Sequence, residues 1–406
     1  MSNVRVLVPG ASIGGPALAH WLSRRGAEVT VVEQAPGLRP GGQAVDARGV
    51  AKEVIRRMGL DAEVRAACTD TAGAYTVDVD GKVLETYRAD DNDGDGFISE
   101  IEILRGDLSQ VLYDDTRDDV EYVFGDRIAE LTQDPDGVDV TFAGGDRRRF
   151  DLVIGADGLH SALRAMVFGP HERFVRHLGR MIAFYTVPNE FGLDRWLIDY
   201  QESGTGRSAG LRPIQDATRA MAMFSFLAAD RDVDHRDVAA QKRLLREQSA
   251  GLGWLTPRIL AHLDDTPDFY LDQVAQVVMD RWSSGRVGLL GDAAFSSSPL
   301  SGQGTGLALV GAYLLAGELA AAGWDPDAGF ARYEAQMRSF VEANQEIGRL
   351  HARSLDIAGA DAEPGPQPDA GDLTDLVERA INGVELPDYP GVPDSGPSIS
   401  SPGVSR

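Results

Sequence analysis

The segment that most restricts the fold is residues 4–33, whose sequence is VRVLVPGASIGGPALAHWLSRRGAEVTVVE. An apolar, β-branched run at residues 4–8 precedes a glycine-rich turn at residues 10–15. A helical pattern follows at residues 16–25, and residues 28–32 are again β-branched. This order predicts a strand, a tight turn, a helix and a second strand. We therefore expect a βαβ unit and a parallel sheet.

Residues around this turn have the chemistry of a dinucleotide site. Gly10 permits a sharp turn, Gly15 lets the helix pack close to the strand, and the helix N-terminus offers free N–H groups to a pyrophosphate. Glu33 lies 18 residues after Gly15, where a carboxylate accepts hydrogen bonds from a ribose. Ser12 replaces the middle glycine of G-x-G-x-x-G. A purely structural βαβ unit can also carry such a turn, but this context favours a bound dinucleotide of undetermined identity.

Composition narrows the possible partners and the compartment. The chain has 406 residues and a formal net charge of −24, which argues against nucleic acid or an anionic membrane as partner. Its one cysteine, Cys68, fits a reducing cytosol and a small buried side chain. The apolar N-terminal run lacks a basic region and a cleavage site, so we expect neither a signal peptide nor a membrane span. The prediction is a soluble, cytoplasmic monomer or homodimer without a metal.

The segment after Glu33 combines loops with short elements. The glycine-rich loop LRPGGQAVDARG contains Asp46 and Arg48, which either return towards the bound cofactor or are ordinary polar loop residues. Residues 50–67 predict a helix, and residues 75–87 a hairpin. Arg105 stands at the start of a predicted helix, where a cation opposes the helix dipole; this position favours a functional anion partner.

Residues 91–102, DNDGDGFISEIE, match the loop of a calcium-binding EF-hand. Asp91, Asp93, Asp95 and Glu102 fall at its positions 1, 3, 5 and 12. An EF-hand also needs a helix on each side, whereas a hairpin precedes this segment and a strand pattern overlaps its end. We therefore interpret it as an acidic turn that does not bind calcium.

Two later segments repeat the pattern of a strand that ends in a polar turn. Residues 152–154 end in Gly155-Ala156-Asp157-Gly158, followed by Arg164 on a helix, and residues 287–290 end in Gly291-Asp292. A polar loop and a long apolar helix that opens near residues 302–306 come next. These two turns and the first one predict three loops at one edge of a single sheet, where they can surround one large ligand.

The three motifs, in this order, resemble the flavin-dependent aromatic hydroxylases, the para-hydroxybenzoate hydroxylase-like monooxygenases that include the tetracycline-inactivating enzymes. The resemblance covers about residues 1–357. It implies FAD as cofactor and NADPH or NADH as a transient reductant, since no second glycine-rich βαβ unit is present. The cofactor-binding residues that it implies are Gly10, Ser12, Ile13, Gly14, Gly15, Glu33, Gln34, Arg48, Arg105, Asp157, Gly158, Arg164, Gly291, Asp292, Pro299, Gly302, Gln303 and Gly304.

Within this resemblance each motif has a separate role. The first turn and Glu33 would hold the ADP half of FAD, and Arg105 would reach the cofactor. Asp157, Gly158 and Arg164 would support both FAD and the visiting nicotinamide. Asp292 would bind the ribityl chain, and Pro299 with residues 302–304 would line the flavin ring.

The implied reaction is oxygen transfer to an aromatic or polycyclic small molecule. NAD(P)H reduces the flavin, O₂ adds to form a flavin hydroperoxide, and one oxygen atom passes to the substrate, by hydroxylation, epoxidation or Baeyer-Villiger oxidation. The cofactor carries this chemistry, so no catalytic side chain is predicted. Secondary metabolism is the expected setting. Candidates for substrate contact are Asp46, Phe184, Trp196, Phe224 and Pro299, with Tyr185 and Phe226 as further aromatic residues.

The sequence is also compatible with two other functions. A protein of the same fold could use FAD as a scaffold for a non-redox cyclisation. An NAD-dependent dehydrogenase or a non-catalytic binding module is the other alternative, against which the Gly291-Asp292 segment argues. Consumption of NAD(P)H and a yellow purified protein would discriminate among them.

The expected architecture is α/β, with a Rossmann-like FAD-binding domain interleaved with a mostly antiparallel sheet. The FAD-binding domain would comprise residues 1–70, 98–173 and 275–325, and the substrate domain residues 71–97 and 174–274. A long helix would occupy residues 326–358. Residues 359–406 form a Pro-, Gly- and Asp-rich tail with one short helix, and its end is expected to be disordered.

Overall fold

The computed structural model describes residues 4–96, 98–228, 234, 237–357 and 370–389. The strands formed by these residues are, in chain order, β1 (Arg5–Pro9), β2 (Glu28–Glu33), β3 (Ala44–Asp46), β4 (Gly73–Val77), β5 (Val83–Arg88), β6 (Glu102–Leu104), β7 (Glu121–Phe124), β8 (Ile128–Asp134), β9 (Gly137–Phe142), β10 (Arg147–Phe150), β11 (Leu152–Gly155), β12 (Val175–Pro188), β13 (Trp196–Glu202), β14 (Arg207–Pro213), β15 (Arg219–Leu227), β16 (Tyr270–Val277), β17 (Ser283–Ser284) and β18 (Val287–Leu289).

The α-helices of the same residues are α1 (Gly14–Ser23), α2 (Val50–Met58), α3 (Asp61–Ala66), α4 (Arg105–Thr116), α5 (Ala162–Phe168), α6 (Val238–Gln248), α7 (Thr256–Ala261), α8 (Asp292–Phe295), α9 (Gly304–Ala321), α10 (Pro326–Ile357) and α11 (Ala370–Asn382). Short 3₁₀ turns lie at Asp91–Gly94, His171–Arg173 and Pro299–Ser301.

A six-stranded, mostly parallel sheet holds the three sequence motifs together. Its strand order is β17-β18-β11-β1-β2-β7, and the neighbours β18, β11, β1 and β2 pair in parallel. The carboxyl ends of β1, β11 and β18 therefore lie side by side at one edge. Residues 6–8 of β1 and 152–154 of β11 are fully buried, as in a parallel sheet that is covered on both faces. The predicted βαβ unit and parallel sheet are confirmed.

A second, seven-stranded sheet has the order β16-β12-β15-β14-β13-β4-β5 and is antiparallel except between β13 and β4. Its outer face packs against α6 and α7 in an apolar cluster that includes Tyr185, Leu211 and Ala222. The opposite face, called the inner face below, turns towards a two-stranded sheet of β3 and β6. On this face Arg212 of β14 donates a hydrogen bond to Glu102 of β6. The predicted mixed α/β class with a second, mostly antiparallel sheet is confirmed.

The helices follow the predicted pattern with one break. Residues 50–67, predicted as one helix, form α2 and α3, because Gly59 adopts a left-handed conformation at φ 75° and ends α2. The predicted long C-terminal helix is α10. Among the helices of the described residues, one, Gly304–Ala321, is long and apolar enough to cross a membrane, but 83% of that stretch is buried inside the protein. The predicted disorder after residue 390 lies outside the described residues.

Candidate FAD-binding site and its covering sheet

The turn after β1 has space only for glycine at two positions. A Cβ atom at Gly10, whose φ is +105°, would lie 2.3 Å from the carbonyl oxygen of Ala156, and one at Gly15 would lie 1.8 Å from the carbonyl oxygen of Gly10. Ile13 precedes α1 without a side-chain cap, so the first N–H groups of the helix are available to an anion. This geometry matches the requirements of a pyrophosphate site.

The three motifs meet at Gly14. A Cβ atom there would lie 3.7 to 3.8 Å from Ala156 of the second motif and from Leu290 and Ala308 of the third. Residues that are about 140 and 290 positions apart in the sequence thus form one wall. The structure brings the predicted glycine turns together around one site.

Glu33 lies at the end of β2 beside the first turn. Its carboxylate accepts hydrogen bonds from the backbone N–H groups of Ala11 at 3.1 Å and of Ala35 at 2.9 Å. It therefore fixes the turn as well as offering oxygen atoms to a ribose. A cleft of about 360 Å³ adjoins this end of β2 and is lined by Gln34, Ala35, Arg39, Gly125, Asp126, Arg127 and Ala143, which fits the adenosine end of a dinucleotide.

Arg105 points back to the first turn from the start of α4. Its Nη1 donates a hydrogen bond to Oγ of Ser12 at 2.9 Å, so the serine that replaces the usual glycine holds the guanidinium beside the predicted pyrophosphate. Burial lowers the pKa of Arg105, although an arginine stays charged at neutral pH. A partly buried cation beside helix N–H groups suits the charge of a pyrophosphate.

The second motif is held in place by hydrogen bonds to its own helix, α5. Asp157 accepts hydrogen bonds from Oγ of Ser161 at 2.5 Å and from the N–H of Leu163 at 3.1 Å, and burial raises the pKa of its carboxyl. Gly158 follows with a φ of +80°, so the chain can turn into α5.

Arg164 has no solvent exposure and donates to the carbonyl groups of Ala293 and Leu159 at 2.8 and 2.6 Å. Because its guanidinium is enclosed by the protein, any support that Arg164 gives to FAD or to a visiting nicotinamide would be indirect. Its hydrogen bond to Ala293 instead fixes α8 just after Asp292.

The third motif places a carboxylate at the start of a buried helix. Gly291 has a φ of +62°, and Oδ1 of Asp292 lies 4.0 Å from the position of a Cβ atom at Gly304, the first residue of α9. Gln303 precedes α9 without a side-chain cap, which leaves free N–H groups near Asp292. Asp292 is exposed as a whole residue, but partial removal of its carboxyl from water raises the pKa of that group. Pro299 is exposed in the same loop.

Arg48 connects this loop to β3. Its Nη1 donates a hydrogen bond to the carbonyl oxygen of Gly302 at 3.0 Å, and its Nη2 lies 3.0 Å from Oδ2 of Asp46. Burial raises the pKa of Asp46 to about 6, an effect that Arg48 opposes and Glu102 reinforces. Arg48 thus links Asp46 to the loop that is predicted to line the flavin.

The substrate candidates divide between the two faces of the covering sheet. Phe184 lies on the inner face and stacks on Tyr270, with ring centroids 6.3 Å apart. Phe224 is packed in the outer-face cluster, and Trp196 stacks on Tyr75 of that same face at 4.4 Å. The expectation that Phe224 and Trp196 line the pocket is wrong, because their side chains point away from the FAD motifs.

Tyr185 and Phe226 also belong to the outer-face cluster. The inner-face residues that sequence reasoning missed are Asp199, Arg212 and Tyr270. Strand register places two of them in one row, which Asp199, Gly210, Met223, Phe184 and Tyr270 form across five strands. Arg212 lies two residues after Gly210 on the same face of β14. Alternation along each strand separates two faces, but it does not say which face meets the cofactor.

In the acidic segment at residues 91–102, the carboxylates of Asp95, Glu100 and Glu102 have partners within the protein. Asp95 and Glu100 lie 2.8 and 3.1 Å from Nζ of Lys52. Glu102 is buried and accepts hydrogen bonds from Thr69, Thr71 and Arg212. Within the described part of the chain, no group of three or more His, Cys, Asp or Glu side chains could hold a metal ion.

A parallel sheet with three turns at one edge, joined to a second, mostly antiparallel sheet, is the architecture of an FAD-binding protein. Comparison with known proteins agrees. The family model described as FAD binding domain matches residues 3–347. An uncharacterised protein of Mycobacterium tuberculosis is 45% identical over 95% of this chain and 99% of its own. A flavin-dependent monooxygenase of Legionella longbeachae is 37% identical over 95% of this chain and 98% of its own.

Among solved structures, the tetracycline destructase Tet(55) is 39% identical and superposes with a TM-score of 0.82 over 95% of this chain and 99% of its own. The chain belongs to the FAD-binding family of flavin-dependent monooxygenases. The resemblance inferred from the motifs is confirmed, and FAD is the cofactor.

Proposed function

We propose that the protein is a monooxygenase that uses NAD(P)H and O₂ to insert one oxygen atom into an aromatic, polycyclic small molecule. One observation carries the proposal. Arg48 joins the predicted flavin loop at Gly302 to Asp46, and Asp46 lies within electrostatic reach of Arg212 on the inner face. A substrate between the loop and that face would lie beside the flavin.

The cofactor residues proposed from the motifs fit FAD in an ordered series. Gly10, Ser12, Ile13, Gly14, Gly15 and Arg105 would hold the pyrophosphate, and Glu33 with Gln34 the adenosine half. Asp292 would hold the ribityl chain, and the N-terminus of α9 with Pro299, Gly302, Gln303 and Gly304 the flavin ring. Asp157, Gly158 and Arg164 would support these groups, as Arg164 does through its hydrogen bond to Ala293.

The protein's share of the reaction is positioning and exclusion of water. Bound FAD would supply the redox chemistry, which is electron transfer from NAD(P)H, reaction with O₂ and transfer of one oxygen atom. Phe184 and Tyr270 offer aromatic surface beside the site, and Arg48 holds the flavin loop. The helices α6 and α7 seal the outer face, so the covering sheet keeps the site dry.

The names of similar proteins support the substrate class. Several relatives are flavin-dependent monooxygenases, and Tet(51) and Tet(55) are tetracycline destructases at 34 and 39% identity. A four-ring phenolic compound such as tetracycline is thus a reasonable first probe. The choice between NADH and NADPH is left to experiment.

The test is oxidation by the FAD-loaded protein under ¹⁸O₂. We expect substrate-stimulated oxidation of NADPH or NADH and a product that gains one ¹⁸O atom. Each nucleotide is tested with tetracycline and with a panel of polycyclic phenols. Product formation without NAD(P)H would instead support the use of FAD as a scaffold. A panel that yields neither product nor stimulation would refute the proposed substrate class.

A further inference from the structure

The inner face carries a carboxylate that has no cation of its own. Asp199 lies in the middle of β13, half-buried, and Oδ2 accepts a hydrogen bond from Nε2 of Gln201 at 2.9 Å. Arg212 is the one charged group among the described residues that lowers its pKa, while burial raises it. Arg212 is already ion-paired with the buried Glu102. Among the described residues, the carboxylate of Asp199 therefore has a hydrogen-bond donor in Gln201 but no cation of its own.

The charges of this region do not cancel. Within the described part of the chain, the carboxylates of Asp46, Glu102 and Asp199 act on Arg212, and Arg48 pairs with Asp46. Three carboxylates thus face two guanidinium groups, which leaves one negative charge. A buried charge in excess costs free energy unless it takes up a proton or pairs with a cation.

The carboxylate of Asp199 lies on the inner face and has space beside a glycine. Gly210 stands opposite it on β14, and a Cβ atom at Gly210 would lie 3.2 Å from Oδ1 of Asp199 and 3.0 Å from the terminal methyl of Met223. A side chain at Gly210 would therefore crowd both of these groups. A flat polycyclic ligand that extends from the flavin loop along the inner face would bring its far end to Asp199.

We propose that Asp199 binds a protonated amine of the substrate, so that the protein prefers polycyclic substrates with a basic nitrogen to analogues without one. This inference rests on the proposed function, since it assumes a substrate between the flavin loop and the inner face. The formal net charge of −24 favours it, because an acidic protein attracts cationic ligands and repels anionic ones.

The test compares two probes that differ in one amine. Tetracycline carries a dimethylamino group that is protonated at neutral pH, and 4-dedimethylaminotetracycline lacks it. Binding to the oxidised, FAD-loaded protein without NAD(P)H is followed through the flavin absorbance. The wild-type protein should bind tetracycline at least tenfold more tightly. Asp199→Asn should lose this preference and leave the Kd of the analogue unchanged within about threefold, which also shows that the variant is folded.

Asp216→Asn is the matched control. Asp216 is exposed in the turn between β14 and β15, and its Oδ1 accepts both hydrogen bonds from Thr218, a role that the amide oxygen of asparagine can keep. The Asp216→Asn variant loses the same charge as Asp199→Asn, and it should retain the full preference for tetracycline over the analogue. Equal binding of both probes by the wild-type protein, or an unchanged preference in Asp199→Asn, would overturn the inference while the proposed function stands. Failure of both probes to bind would overturn the tetracycline-like substrate class and the inference with it.

Discussion

Asp292 is the residue at which cofactor binding and oxygen transfer can be tested together. Its carboxylate lies near the free N-terminus of α9 and precedes the loop that carries Pro299. Asp292→Ala should weaken FAD binding by about 1.5–3 kcal/mol, the usual worth of a hydrogen bond to a charged group. At saturating FAD, more of the NAD(P)H oxidised should yield hydrogen peroxide instead of product, because the flavin is no longer held in place.

The measurements for Asp292→Ala are FAD titration of the apoprotein and the ratio of product to NAD(P)H consumed. Asp146→Ala, which changes an exposed carboxylate in the β9–β10 hairpin, is the control and should behave as wild type. If Asp292 only caps the turn, the variant will lose thermal stability while FAD affinity and coupling keep their wild-type values.

Asp46 should make stability depend on pH. Its pKa is raised to about 6, chiefly by burial, whereas an aspartate in an unfolded chain has a pKa of about 3.9. The folded protein therefore favours the protonated carboxyl of Asp46. The stability that this carboxyl contributes is fully present below about pH 4 and is lost as the pH rises through about 6, by roughly 3 kcal/mol in total. Urea unfolding of the wild type and of Asp46→Asn at several pH values measures this loss.

The difference in unfolding free energy between the Asp46→Asn variant and the wild type should grow in favour of the variant from pH 4 to 6 and then level off. Asparagine does not ionise, so it carries none of this dependence. A difference that stays constant across this range would mean that Asp46 titrates at its ordinary pKa, and that its neighbours compensate for its burial.

The acidic segment between β5 and β6 should not respond to calcium. Lys52 is already ion-paired with Asp95 and Glu100, and Glu102 accepts hydrogen bonds from Arg212 and two threonines. Calcium would have to displace these partners and assemble six or more oxygen ligands from a loop without flanking helices. We expect the melting temperature to be the same in millimolar Ca²⁺ and in EDTA. A calcium-dependent rise that Glu102→Gln abolishes would contradict this reading.

At the scale of elements, the sequence was informative wherever a local rule decides the structure. The first βαβ unit was predictable because steric limits at Gly10 and Gly15 and the β-branched flanks act over few residues. The break between α2 and α3 at Gly59 was missed, since an isolated glycine inside a helical pattern does not reveal whether it adopts a positive φ.

The inner face was not predictable for a different reason. The contact of Arg212 with Glu102 joins residues 110 positions apart, and no local pattern specifies it. Phe224 and Phe184 lie on neighbouring strands with opposite orientation, and both satisfy the alternation of a buried strand. The packing of α6 and α7 against the outer face decides which of these two aromatic residues lies on the inner face.

On the scale of the whole molecule, the FAD site joins parts of the chain that are distant in sequence. Residues of β1, β11 and β18 form one edge, and α9 runs from that edge through the core. The second sheet is connected to this region by Arg212, which donates a hydrogen bond to Glu102 of β6. Glu102 pairs with Asp46 of β3 in the two-stranded sheet. A ligand that binds all these parts stabilises the folded protein as one unit.

FAD should therefore bind non-covalently and raise the melting temperature in proportion to the logarithm of its free concentration. A concentration of one hundred times Kd corresponds to about 2.7 kcal/mol of added stability, and heat-denatured protein should release the flavin into solution. FMN is the matched control, because it has the flavin and ribityl groups but lacks the adenosine half that Glu33 and the first glycine turn would hold. At equal concentration FMN should raise the melting temperature much less. If FMN matched FAD, the motif between β1 and β2 would not contribute to binding. Retention of the flavin by the denatured chain would instead indicate a covalent bond.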